Sequence, residues 1–107
     1  MERESKFYIN YFRKKHGIEI DAKLVETGWE GVTLYHEEIE DILIPKEKLH
    51  TLPDPLLCCL TVHDDEEGQE WLFVLVADSE GTSKWYSAYC LLNGELIDSD
   101  IPFEEYL

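Results

Sequence analysis

The sequence predicts an α+β fold, with an N-terminal helix packed on a mostly antiparallel sheet of five to seven strands in a single domain spanning residues 1–107. Three observations carry that prediction. Apolar side chains follow helical spacing most clearly in residues 2–16, two later runs are apolar on both faces, and hairpin-type turn signals separate most of what remains. One helix followed by a run of strands is the pattern of helices segregated to one side of an antiparallel sheet. A chain of 107 residues supports one core, burying roughly 65% of the surface its unfolded form exposes.

The helix is read from ERESKFYINYFRKKH, where Phe7, Tyr8, Tyr11 and Phe12 fall at i, i+1, i+4 and i+5 and so form one stripe. Glu2 and Glu4 lie at its positive end and Arg13, Lys14, Lys15 and His16 at its negative end, while Gly17 is placed to cap it in the left-handed conformation. From Ile18 the period changes to two. Ile18, Ile20, Ala22 and Leu24 alternate with Glu19, Asp21 and Lys23, predicting a strand with one wet face. TGWEG then predicts a reversal into a second strand through Val32 and Leu34, the two strands forming a hairpin.

The stretch HEEIEDILIPKEKLHTLPDP is read as a short strand at 41–44, then a helical turn that Pro45 opens and that Pro53 and Pro55 prevent from continuing. LLCCLTVH and QEWLFVLVAD are apolar on both faces, as central strands are when each face of the sheet is covered. DDEEG would join them as a hairpin loop. SEGTSK is the next turn, WYSAYCLL the next strand, and NGE before LIDSD a two-residue hairpin signal leading into an edge strand. One helix cannot cover both faces of such a sheet, so the 39–52 segment or another protein chain is expected to shield the second.

Charge is the informative feature for function. The net charge is −15, and it is unevenly spread: residues 1–16 carry a net of +3, residues 24–107 a net of −17. Such a field repels nucleic acid and anionic lipid and attracts basic surfaces. The acids fall into three groups: Glu37, Glu38, Glu40 and Asp41; Asp64, Asp65, Glu66 and Glu67 with Glu70; and Glu95, Asp98, Asp100, Glu104 and Glu105.

The N-terminus MERESK is charged at once, and the longest apolar run, Trp71 to Ala77, is far shorter than the roughly 20 residues a bilayer span requires. Neither an export signal nor a membrane span is therefore predicted. Three cysteines, two of them adjacent at 58 and 59 in a strand, point to a reducing compartment, hence the cytoplasm. The histidines at 16, 36, 50 and 63 and the cysteines at 58, 59 and 90 lack the close spacings of zinc sites, and DDEEGQE lacks the ligand pattern of a calcium loop. No metal or other cofactor is expected. Paired carboxylates occur without a nucleophile, a partnered histidine or a glycine-rich phosphate loop, so no enzyme is expected.

Holding 17 excess negative charges on residues 24–107 disfavours the compact state, since like charges a few ångströms apart cost on the order of 1 kcal/mol per pair even in water. A cognate basic surface offsets that cost. Lys- and Arg-lined clefts belong above all to proteins that handle nucleic acid. The expectation is thus a cytoplasmic acidic protein that blocks such a partner, most concretely the immunity protein of a bacterial nuclease toxin. Asp64, Asp65, Glu66, Glu67, Glu70, Glu37, Glu38, Glu40 and Asp41 would take the places of substrate phosphates. Anchors are sought among Trp29, Tyr35, Trp85, Tyr86 and Tyr106, with Trp85 and Tyr86 first and one of that adjacent pair facing inward. The alternatives are a DNA mimic that inhibits restriction or CRISPR effectors, and a non-catalytic accessory subunit or homodimer that buries the second sheet face.

Overall fold

The computed structural model describes residues 3–21, 29–39, 44, 46–78 and 84–107. Helix α1 (Arg3–Tyr11) continues as a π-helical turn (Phe12–His16). Gly17 closes it at φ +67°, its N–H donating to the Arg13 carbonyl at 3.1 Å, a conformation that glycine adopts without steric cost. Five antiparallel strands follow in chain order across one sheet: β1 (Glu30–Leu34), β2 (Leu56–Asp64), β3 (Glu70–Asp78), β4 (Trp85–Leu92) and β5 (Glu95–Asp98). The α+β class and the helix-on-sheet arrangement are those the sequence predicts.

The apolar stripe of the helix packs on the face made by Trp71, Phe73, Leu75 and Ala77 of β3 with Trp85, Ala88 and Cys90 of β4. Phe73, in the middle strand, is the hub, its ring centroid lying 5.3 Å from Tyr8, 5.4 Å from Tyr11 and 5.6 Å from Phe7. Such aromatic pairs add about 0.5–1.5 kcal/mol each to what burial supplies. Ile101, Phe103 and Tyr106 close the near side, and Asn10 donates to the Tyr106 carbonyl at 2.8 Å. The second face carries Leu56, Cys58, Val74, Val76 and Tyr89, covered by Ile44 and by Leu49 of the short helix α2 (Lys46–Leu49), with Ile39 and Leu52 beside them. From the 39–52 segment, Ile39, Ile44, Leu49 and Leu52 therefore shield part of the second face.

One expectation is corrected in part. Residues 18–21 form no strand although Ile18 and Ile20 alternate with Glu19 and Asp21; both isoleucines rest against the helix-side core, and the Ile18 N–H donates to the Phe12 carbonyl at 3.1 Å. Strand β1 pairs with β2, Glu30 opposite Leu60 through Leu34 opposite Leu56. The remainder of the expected first strand, and residues 41–43 of the strand expected at 41–44, lie outside the described residues. Ile44 itself is buried at a bend.

Candidate functional site

The β2–β3 connection is a short loop, because Asp64 pairs with Glu70 across the hairpin. Asp65 organises it. Its Oδ1 accepts the N–H groups of Glu67 and Gln69, both at 2.9 Å, and its Oδ2 accepts the indole N–H of Trp71 at 3.0 Å. Aspartate is favoured at such a turn because its short carboxylate can satisfy backbone N–H groups a few residues ahead. These bonds, the one from Trp71 foremost, hold the Asp65 carboxyl below its ordinary range, helped by nearby His63. Asp65 is thus engaged within the loop, whereas Asp64, Glu66, Glu67 and Glu70 are exposed.

The loop borders an open concavity of about 650 Å³ whose other wall is the chain leaving the π-turn, Gly17 to Glu19. Trp71 and His63 line it too, and the His16 ring lies 4.8 Å from that of Trp71. Among the described residues no Lys or Arg lines the concavity, while Glu19, Asp64, Asp65, Glu66 and Glu67 do. Arg13 reaches Glu19 from outside at 3.9 Å. The wall is held by a hydrogen-bonded chain. The Tyr11 hydroxyl donates to Asp98 of β5 at 3.0 Å and accepts from His16 Nε2 at 3.0 Å. Burial lowers the His16 pKa, as does Lys15, against the opposing pull of Asp98.

More acids gather at this end of the sheet than the sequence reading assigned to it. The turn Asn93–Gly94 sits beside the loop, Asn93 donating its N–H to the Glu70 carbonyl at 2.8 Å and accepting the Glu70 N–H at 2.9 Å. Glu95 follows that turn directly, whereas Glu30 of β1 opposes Leu60, midway along β2. Glu19, Glu30 and Glu95 were not among the candidate partner-binding residues. Strand register is the signal that could have placed Glu95 and Glu30, while Glu19 is placed by the chain leaving the π-turn.

The 37–41 acids are not brought to this site. Glu37 and Glu38 occupy a 3₁₀ turn (His36–Glu38) tied to the start of β2, His36 donating its N–H to Asp54 at 3.1 Å and its Nε2 meeting the Pro53 carbonyl at 2.6 Å. The nine residues of β2 separate that turn from the loop, a distance of about 26 Å at strand rise. Glu40 and Asp41 lie outside the described residues.

The aromatic candidates are also redistributed. Trp85 is only 9% exposed, packed against Phe7 and Phe103 with the Arg3 guanidinium 4.1 Å from its ring centroid, so it is withdrawn as a surface anchor. Tyr86 faces the opposite side, half-buried, with the Lys84 ammonium 5.4 Å from its ring. Trp29 and Tyr106 belong to the helix-side core, and Tyr35, 52% exposed, lies at the end of the sheet remote from the loop. What the acidic end offers is a recess backed by Trp71 and His63. Among the described residues no three His, Cys, Asp or Glu side chains are placed to hold a metal ion, and no helix is long and apolar enough to cross a membrane. No family model matches the chain, and no match is found among curated proteins or among solved structures.

Proposed function

We propose that this chain is a non-catalytic binding protein that uses the acidic end of its sheet to occlude a basic, nucleic-acid-handling protein, most concretely as the cytoplasmic immunity protein of a bacterial nuclease toxin. The observation that carries the reading is the concavity itself, walled by Glu19, Asp64, Glu66 and Glu67 with no lining Lys or Arg among the described residues. Carboxylates around a recess concentrate field lines and raise the local concentration of cations. A Lys or Arg side chain of the partner enters the recess, its ammonium or guanidinium among the exposed acids and its methylene stem against Trp71, as long cationic side chains do on aromatic surfaces. The anchor therefore comes from the partner, and the acids stand where substrate phosphates would.

The test is retention of the native partner from cells on the immobilised protein at low salt and its release at high salt, since charge-driven complexes weaken with ionic strength. With the partner in hand, reversing Glu19, Glu66 and Glu67 to lysine should slow association by roughly tenfold or more. Asp65 is spared because it holds the loop closed. Failure to retain any basic protein, or association kinetics unchanged by the triple reversal, would falsify the occlusion reading.

A further inference from the structure

The described residues cover the second face of the sheet over only part of its length. α2 is held over it by the ion pair of Lys48 with Asp100 at 2.9 Å, and Ile44, Leu49 and Leu52 pack in the cluster built on Leu56, Cys58, Val76 and Tyr89. Toward the acidic end, the same face presents one aliphatic side chain from each of four adjacent strands. Val62 opposes Leu72, Leu72 opposes Leu91, and Leu91 opposes Leu96, so the four form a single row. Val62 is 52% exposed, and Leu72, Leu91 and Leu96 are half-buried. Four strands at ~4.8 Å spacing make this lane about 14 Å across. Leu60 continues it toward β1, where Val32 is 38% exposed.

The rim of the lane is anionic. By strand alternation Asp64 and Glu70, opposed in register, share the face of Val62 and Leu72, and Glu30, opposed to Leu60, shares it too. Like charges directly opposite one another on a sheet are unfavourable until something of the other sign lies between them. The charge also selects among occupants. A second copy would set one chain of net charge −15 against another and rim against rim, and an anionic lipid surface is repelled in the same way.

We infer that this lane docks a cationic amphipathic segment of another protein, its aliphatic side chains lying on Val62, Leu72, Leu91 and Leu96 and its Lys or Arg residues on Glu30, Asp64 and Glu70. This surface faces away from the helix-side concavity, shares only Asp64 with it, and does not depend on the occlusion reading.

The probe is a synthetic helical peptide with leucine along one face and lysine on the other, compared with a peptide of equal lysine content whose leucines are replaced by glutamine. Binding to the full chain is followed by methyl NMR of Val62, Leu72, Leu91 and Leu96. The leucine peptide should shift these methyls and bind at least about fivefold more tightly than the glutamine peptide, the difference that burying a few half-exposed methyl groups supplies. Val62→Lys should weaken the leucine peptide several-fold. Val62→Thr, which keeps the side-chain shape, should weaken it less while preserving the thermal unfolding curve. Three results would overturn the proposal: equal binding of both peptides with shifts confined to residues 64–70, no shift of the lane methyls, or a dimer in sedimentation that Val62→Lys dissociates.

Discussion

The wall of the concavity depends on one buried hydroxyl, and its removal is a sharp test of how the site is positioned. Tyr11→Phe leaves the ring in place, fully buried among Phe12, Phe73 and Tyr106. It deletes the oxygen that donates to Asp98 and accepts from His16, both at 3.0 Å. A hydrogen bond to a charged acceptor contributes about 1.5–3 kcal/mol and an ordinary one about 1 kcal/mol, so the variant should lose about 2–4 kcal/mol, a large share of the 5–15 kcal/mol typical of a domain. In urea, with m near 1–3 kcal/mol/M, the midpoint should fall by roughly 1–3 M with m unchanged. A loss under about 0.5 kcal/mol would refute the account, because it would mean that water serves Asp98 and His16 as well as the phenol does. The same chain gives a pH dependence of defined sign. Burial holds the His16 pKa below its ordinary 6.5, so the unfolded chain binds that proton more tightly. The stability is complete above the unfolded value and is lost as pH falls through 6.5 and on through the lower folded value. Replacing His16 by Gln should flatten stability against pH between about 7.5 and 5.5, and equal slopes for the two proteins would remove His16 from the explanation.

Further outcomes concern the loop, the thiols and the last hairpin. In Asp65→Ala the amides of Glu67 and Gln69 should exchange faster with solvent and the Trp71 indole proton should shift, whereas Asp65→Asn, which keeps an acceptor oxygen, should restore part of both; unaltered exchange in the alanine variant would deny Asp65 its organising place. Burial pushes the Cys58 thiol up to about 11 and the Cys90 thiol up to about 12, so iodoacetamide at neutral pH should leave both unmodified in the folded protein and label them in urea, as read by peptide mass spectrometry. Gly94 turns the β4–β5 hairpin at φ +84°, and Gly94→Ala should cost about 1–2 kcal/mol in thermal unfolding.

Much of the architecture was legible because burial writes itself into residue pattern. The stripe Phe7, Tyr8, Tyr11, Phe12 gave the helix, the doubly apolar runs gave β2 and β3, and Asn93–Gly94 gave the final hairpin, with Asn93 at φ 51° and Gly94 at φ 84° as such a turn requires. The failures share one cause. Alternation reports which side chains reach a core, not which backbone groups join a ladder, so Ile18 and Ile20 mimic a strand while resting against the helix side outside any strand. Register was equally hidden. The bulge between Val76 and Ala77, opposite Ser87 and Trp85, sends Trp85 into one cluster and Tyr86 into the other, and only coordinates reveal which neighbour turns inward. Of the acids, the 64–70 group is contiguous in sequence and so shares one loop, but the sequence offered no sign that residues 37–38 sit at the far end of β2 while Glu19 and Glu95 join the near end.

That crowding raises a physical question whose answer bears on binding. Exposed carboxylates at the end of one hairpin repel one another and would splay β2 from β3 unless the backbone were tied. Three devices tie it. Asp65 closes the loop onto Glu67, Gln69 and Trp71; the Asp65 N–H bonds the Gln69 carbonyl at 3.0 Å; and Asn93 exchanges two hydrogen bonds with Glu70, at 2.8 and 2.9 Å, locking the neighbouring turn to the same end. The carboxylates that remain free, on Asp64, Glu66, Glu67 and Glu70, thus project from a fixed frame. A fixed frame loses little conformational freedom when a partner arrives, so more of the Coulombic attraction survives as affinity. Alternation along the same frame also divides the charge. His63 and Trp71 look toward the concavity and Val62, Glu70 and Leu72 toward the aliphatic lane, while Asp64, at the end of β2, borders both. Reversal of Glu19 or Glu67 therefore reports on the concavity and reversal of Glu30 or Glu70 on the lane, which makes the two surfaces experimentally separable although they meet at one hairpin.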